Sequence, residues 1–195
     1  FLIFTYRPEF VHTWGVKSYH SQINLNKLSN RESLAMLAHL LATEDIDKRL
    51  EELGIEIPTP AAPVANYVGW VRTGNLVFTS GQVPLKDGEF LYKGIVPDEC
   101  SEEDAVKAAR LCAINIIAQL KDACGGDLDR VKRIVKLVVF VNGAAGYGGQ
   151  PGIINGASDL MVEVFGDKGR HARAAVGSGS LPRDVQVEIE GVFTI

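Results

Sequence analysis

Hydrophobic and polar residues recur along the chain with two periods, one typical of helices and the other of strands. Apolar residues three or four positions apart predict an amphipathic helix that Ser101 caps together with Asp104 and that ends near Ala123. A second helix is predicted over about 153–165, before a glycine. The run RIVKLVVFV at 133–141 is rich in β-branched residues and predicts a central strand buried on much of both faces.

Shorter segments complete the pattern. A short helix is expected after a cap at Thr43 or Asp45 and should end at Gly54. The other predicted strands are 67–71 and 76–79, joined as a hairpin through Thr73-Gly74-Asn75, then 89–93, 172–177 and 185–193. This order of strands and helices predicts an α+β fold, in which a mixed β-sheet packs two helices on one face.

Composition narrows the class of protein. With 195 residues, 46% of them hydrophobic and 23% charged, the chain has the balance of a globular protein, and no apolar stretch approaches the roughly 20 residues of a membrane-spanning helix. The formal charge of −4 disfavours a nucleic-acid partner. That charge is uneven, because residues 1–43 hold four basic and two acidic side chains, which leaves 44–195 with a net charge of −6.

The sequence therefore divides into residues 1–43 and residues 44–195. The first segment lacks an initiating Met and is basic and aromatic, and we expect a poorly ordered N-terminal extension. Two interpretations stay open for it: a mitochondrial transit segment, or an artefact upstream of a working start near Met36. Its apolar run is too short for a signal peptide, so the cytoplasm or mitochondrial matrix is expected rather than secretion.

Cysteine and histidine spacing argues against metal or disulfide chemistry. The three cysteines form no CxxC pair and the four histidines are scattered, which favours free thiols in a reducing compartment and gives no set of zinc ligands.

Two charged residues near the end of the chain are candidates for chemistry. Arg173 lies among small residues that leave its guanidinium open to a planar anion such as a carboxylate. In DVQVEIE at 184–190, strand alternation places Glu188 on the face opposite the apolar residues. From these patterns alone, an exposed surface arginine and a solvated strand carboxylate remain the alternatives.

The same region carries a family resemblance. HARAAV at 171–176 and LPRDVQVEIE at 181–190 match PAR-x-x-V followed by LP-x-x-V-x-VEIE, while NYV at 66–68 and FTSGQVP at 78–84 match the family's first hairpin. From about residue 60 to 195, and nearly from 45, the chain resembles a divergent branch of the Rid (YjgF-type) family of enamine/imine deaminases, whose members are also known as L-PSP endoribonucleases.

The resemblance implies a chorismate-mutase-like fold and a homotrimer with active sites between subunits. It also implies a cofactor-free hydrolysis of 2-imino acids to 2-keto acids and ammonia, with no metal. Arg173 would bind the substrate carboxylate, and Glu188 would act on the attacking water. The remaining substrate-binding positions implied by the resemblance are Tyr67, Ser80, Gly81, Asn155 and Ala175.

Two positions depart from the family pattern. His171 stands where members have a proline, and Ala175 stands where they have a cysteine. Imine hydrolysis needs a positioned water and a proton acceptor but no thiol, so the deaminase interpretation survives the second departure. A carboxylate-binding trimer without turnover, or an endoribonuclease and translation inhibitor, are the alternative functions.

Overall fold

A mixed β-sheet with helices on one face forms the described part of the molecule, as predicted for an α+β fold. The computed structural model describes residues 45–195. Its helices and strands, in chain order, are α1 (Ile46–Glu52), β1 (Trp70–Thr73), β2 (Leu76–Thr79), β3 (Leu85–Lys86), β4 (Glu89–Phe90), α2 (Glu102–Ala123), β5 (Arg133–Asn142), α3 (Gln150–Ile153), α4 (Asn155–Phe165), β6 (Ala172–Ser178) and β7 (Val187–Thr194). The N-terminal extension predicted for 1–43 lies outside the described residues.

The main sheet has the strand order β1-β2-β7-β5-β6. Strand β5 runs parallel to β6 and antiparallel to β7, so the sheet is mixed, and β6 lies at its edge. Strands β3 and β4 form a separate two-stranded sheet. The arrangement places β6 and β7 on either side of β5, the strand predicted to be central.

The core lies between the sheet and helices α2 and α4. Alternate residues of β5, among them Leu137 and Val139, are fully buried together with the apolar stripes of both helices. The predicted caps form as expected, since the Ser101 side chain accepts a hydrogen bond from the Asp104 N–H and Asp45 accepts one from the Lys48 N–H. The three cysteines are free thiols, as their spacing predicted.

The opposite face of the sheet, which we call the open face, is not covered by residues 45–195. Val71, Phe78 and Val192 are in register on β1, β2 and β7, and Phe78 remains 37% exposed. Val135 on β5 is 36% exposed. The prediction that β5 is buried on both faces is therefore wrong for the single chain, although the apolar residues that suggested it are present on both faces.

Several element boundaries differ from the prediction for local reasons. The first hairpin strand begins at Trp70 rather than Tyr67, because the Tyr67 N–H bonds to the Ala65 carbonyl in a bend. The predicted helix over 153–165 begins earlier, at Gln150, and is interrupted at Ile154. The last strand begins at Val187 rather than 185, since residues 185 and 186 pair with the loop after β4.

Candidate active site

The Arg173 guanidinium is held by three oxygen atoms of the helical segment α3–α4. Its Nη1 donates to Asn155 Oδ1 at 2.9 Å and to Ser158 Oγ at 3.1 Å, and its Nη2 donates to the Pro151 carbonyl at 3.3 Å. Asn155 and Ser158 are three positions apart on α4, so they share one face of the helix. The structure thus brings together Arg173 and Asn155, two of the residues singled out in the sequence.

These contacts leave binding capacity on the guanidinium. Of its five N–H donors, one on Nε and one on Nη2 have no partner within residues 45–195. No carboxylate in that part of the chain forms an ion pair with Arg173, and the side chain is exposed at the sheet edge. A guanidinium that is held in place, has no carboxylate partner and has two unpaired N–H donors is suited to binding a carboxylate.

Glu188 lies against the backbone of Gly81. A Cβ placed on Gly81 would collide with Glu188 Oε1, so only glycine allows the carboxylate this close. The main chain of Gln82, the next residue, is bonded to Ile189 in both directions at 2.7 and 2.9 Å, which fixes Gly81 beside β7. Gly81 and Glu188, both predicted site residues, are therefore neighbours.

The half-buried environment of Glu188 favours its neutral form. Burial raises the pKa of the Glu188 carboxyl above its ordinary value, and the negative charge of Glu190, two residues further along the same face, raises it further. A carboxylate that holds its proton more tightly than usual is a better proton acceptor, provided that the pH keeps it ionised.

Ser80 and Tyr67 lie at the same end of the sheet as Gly81. Ser80 follows β2, and its Oγ donates to the Val68 carbonyl at 2.6 Å, while its N–H bonds to the Gly69 carbonyl. These two bonds hold the segment that carries Tyr67, whose side chain is 51% exposed. Ser80 Oγ is thus used to fix the backbone around Tyr67.

The predicted residues form two groups on opposite faces of the sheet. Arg173 and Ala175 on β6 are in register with Leu137 and Val139, which point toward the helices. Glu188 on β7 is in register with Phe140, which belongs to the open face. Paired residues of adjacent strands point to the same face, so within one chain the arginine group and the glutamate group do not meet.

Two polar residues of the arginine group were not identified in the sequence as site residues. Ser158 bonds to Arg173, and its Oγ lies 3.2 Å from His171 Nε2. The spacing of Ser158 three positions after Asn155 is a signal that could have identified it, given the helix. His171 had been noted only as a departure from the family pattern, and nothing in the sequence pairs it with Ser158.

The described residues contain no cluster of metal ligands, and the groove found in this part of the fold is lined by other residues. Within 45–195, no three His, Cys, Asp or Glu side chains are placed to hold a metal ion, and no helix is long and apolar enough to cross a membrane. A groove of about 370 Å³ lies between the extended segment after α1 and helix α2, with Pro58 and Asp122 among its lining residues. None of the predicted site residues lines that groove.

Comparisons with known proteins agree with the fold. Protein TCP17 of Trypanosoma cruzi is 42% identical over 157 residues, which cover 80% of this chain and 98% of that protein. The solved structure of Atu1372, a protein of unknown function from Agrobacterium tumefaciens, is 43% identical with a TM-score of 0.72, over 78% of this chain and 94% of that one.

A relative with a named activity is more distant. The 2-iminobutanoate/2-iminopropanoate deaminase of Dermatophagoides farinae is 27% identical over 143 residues, which cover 72% of this chain and 94% of that protein. The family described as "YjgF/chorismate mutase-like, putative endoribonuclease" matches residues 47–188. This match covers well over half of the chain, and both TCP17 and Atu1372 are more than 40% identical to it over most of their length. The chain therefore belongs to the YjgF/Rid family.

Proposed function

We propose that this protein is a deaminase that hydrolyses 2-imino acids to 2-keto acids and ammonia. The observation that carries the proposal is the Arg173 guanidinium, which α3 and α4 hold at three points and no carboxylate of residues 45–195 neutralises. Its remaining donors on Nε and Nη2 would bind the substrate carboxylate. The deaminase name of a relative in the same family supports this choice of substrate class.

Glu188 would supply the proton transfer. A protonated imine carbon is electrophilic, so water attacks it directly once a base accepts a proton. Glu188 takes one proton of the water as the C–O bond forms and returns it to the nitrogen. When the C–N bond breaks, the remaining hydroxyl proton passes to Glu188 as the C=O forms, which releases ammonia and the keto acid, and Glu188 then loses that proton to solvent. Ala175 takes no covalent part in these steps, so the absence of a thiol at that position is no obstacle.

A complete site requires both groups of residues, and we propose that a homotrimer assembles it between subunits. One subunit would contribute Glu188 with Gly81, Ser80 and Tyr67, and its neighbour would contribute Arg173 with Asn155 and Ala175. Two features support this: the groups lie on opposite faces of one chain, and the open face presents uncovered apolar residues such as Phe78.

The test is to generate 2-iminobutanoate in situ from an amino-acid oxidase and to follow formation of 2-oxobutanoate. Wild-type protein should accelerate hydrolysis, and Arg173→Ala should lose about a hundredfold in rate, because loss of a charged hydrogen-bonded contact costs about 3 kcal/mol. An imine that lacks a carboxylate is the control and should respond equally to both proteins. Equal rates of 2-iminobutanoate hydrolysis with wild type and Arg173→Ala would contradict the proposal.

A further inference from the structure

Three hydrogen bonds connect a backbone carbonyl to the candidate substrate-binding arginine. His171 Nδ1 lies 2.6 Å from the Gly169 carbonyl oxygen, and His171 Nε2 lies 3.2 Å from Ser158 Oγ. Ser158 Oγ in turn accepts the hydrogen bond from Arg173 Nη1 at 3.1 Å. The chain of contacts is independent of Asn155, which bonds to the same Nη1 atom separately.

The first contact sets the protonation of the imidazole ring. A carbonyl oxygen only accepts hydrogen bonds, so Nδ1 must carry a proton at this distance. In a neutral ring the proton on Nδ1 leaves a lone pair on Nε2, which then accepts from the Ser158 hydroxyl. Burial lowers the pKa of His171 and the positive charge of Arg173 lowers it as well, and together they outweigh the hydrogen bond to the Gly169 carbonyl, which raises it, so the neutral ring is favoured.

The carbonyl at the start of this chain is firmly placed. Gly169 is buried, and a Cβ on it would collide with the Met161 carbonyl and the Val162 nitrogen of α4. The segment that carries Gly169 is therefore packed directly against the helix backbone. His171 is oriented by a main-chain atom rather than by a mobile side chain.

The second contact directs the Ser158 hydroxyl. Serine in a helix can donate to the carbonyl four residues earlier, which here is that of Ile154. His171 Nε2 offers a different acceptor, and a hydroxyl has a single hydrogen to donate. With that hydrogen directed to His171, Ser158 presents lone pairs to the Arg173 Nη1–H.

We propose that His171 is a positioning residue of the carboxylate site, which holds Ser158 as a hydrogen-bond acceptor for Arg173 and so fixes the guanidinium before substrate binds. The proposal rests on the proposed function, because it assigns Arg173 to carboxylate binding. We call the hydrogen bonds from the Gly169 carbonyl through His171 and Ser158 to Arg173 the relay. The relay orients the arginine for substrate binding but touches no reacting atom. We therefore expect changes in KM and in keto-acid affinity, with kcat little changed.

The variants replace, one at a time, the two side chains that link the Gly169 carbonyl to Arg173. Ser158→Ala removes the hydroxyl, and Ser158→Thr retains one. His171→Asn keeps an amide near the position of Nδ1 but has no atom at Nε2, whereas His171→Gln reaches the position of Nε2. Ser158→Ala and His171→Asn should each weaken binding of 2-oxobutanoate and raise KM by about tenfold, and Ser158→Thr and His171→Gln should restore much of the loss.

A double-variant cycle tests whether His171 acts through Ser158. In the Ser158→Ala background, His171→Asn should cost nothing further, because the contact that it removes is already absent. Additive losses would overturn the relay, as would unchanged binding in His171→Asn. The thermal unfolding of each variant is also measured, to establish that every binding titration is made on folded protein.

An NMR measurement tests the hydrogen bonds of His171 independently of whether the protein is a deaminase. The ring ¹⁵N resonances of His171 should show a neutral ring protonated on Nδ1, and the Nε2 resonance should shift in Ser158→Ala. A ring protonated on Nε2 alone would overturn the relay even if the keto acid binds. If wild type neither binds 2-oxobutanoate nor hydrolyses the imine, the proposed function fails, and the carboxylate role given to His171 fails with it.

Discussion

Arg173 and Glu188 point to opposite faces of one sheet, although a single strand, β5, separates the strands that carry them. Each has its own group of neighbours: oxygen atoms of α3 and α4 around the arginine, and the backbone of Gly81 against the glutamate. The chemistry proposed for the pair therefore depends on two copies of the chain, and this dependence can be measured.

Mixing two inactive variants should restore activity. Arg173→Ala lacks the carboxylate-binding group and Glu188→Gln lacks the base, so each homotrimer should be inactive. In trimers refolded from an equal mixture, about a quarter of the interfaces combine an intact Glu188 with an intact Arg173, because the ring repeats one interface between unlike surfaces. We expect about a quarter of wild-type activity after co-refolding and none after simple mixing of stable trimers. Recovery of no activity would contradict a shared site.

The open face should control assembly. Phe78→Glu places a charge among the apolar residues of the open face. If the protein is the homotrimer that we propose, this variant should sediment as monomers and should lose imine hydrolysis. Leu53→Glu is the matched control, because Leu53 is 38% exposed against 37% for Phe78 but follows α1, away from the sheet. If Phe78→Glu sediments like wild type, this face is not the interface between subunits.

The pH dependence of hydrolysis should follow Glu188. The carboxylate must be ionised to accept a proton, so activity should rise with pH through a pKa that lies above the ordinary carboxyl value. The negative charge of Glu190 contributes to that raised pKa, so Glu190→Gln should move the acidic limb of the kcat/KM profile to lower pH. A limb that stays in place would exclude coupling between these two carboxylates.

Glu188→Gln should separate stability from activity. Because folding raises the pKa of Glu188, the native state binds that proton more tightly than the unfolded chain does, and this contribution to stability declines as pH rises above the ordinary carboxyl pKa. The variant should lose about a hundredfold or more in rate, yet it should unfold at an equal or higher temperature than wild type at neutral pH. A lower unfolding temperature would contradict the predicted cost of the buried charge.

Gly81→Ala should slow the reaction by displacing the Glu188 carboxylate from its position. Its added methyl would meet the end of the Glu188 side chain, which can swing away, so the expected result is at least a tenfold loss of rate with little loss of stability. Gly148→Ala is the control, because a Cβ there meets nothing within 4 Å. Equal rates for the two variants would show that the contact between Gly81 and Glu188 has no part in the reaction.

Much of the fold was predictable because its main elements have clear local signals. The apolar period of α2, with its Ser101 cap, and the β-branched run of β5 specify a helix and a strand without reference to the rest of the chain. Strands β3 and β4 gave a weaker signal, because each has only two residues; besides pairing with one another, they are held by Asn115 Nδ2 of α2, which donates to the Leu85 carbonyl. The pairing is made across the Asp87-Gly88 turn, in which both residues have a positive φ. The strand predicted over 89–93 therefore included all of β4, whereas β3 was missed.

The sequence identified residues of the candidate site but not their positions relative to one another. Small neighbours and strand alternation indicated Arg173 and Glu188, and the family pattern implied the rest. The alternation could not show that the two residues face opposite ways, because this depends on the register of both strands against β5. The contact between His171 and Ser158 joins a loop to a helix 13 residues earlier, and its geometry is set by the close packing of Gly169 on α4.

The row of Val71 and Phe78, which are exposed, and Val192, which is partly exposed, also makes the time between synthesis and assembly important. Until another surface covers the row, three registered apolar side chains and the unpaired edge of β6 are available to any other unfinished protein nearby. The yield of folded protein in a cell would therefore depend on how quickly a new chain associates with other copies of itself. Rapid synthesis at high temperature should favour aggregates, whereas slow synthesis at low temperature should favour the assembled protein.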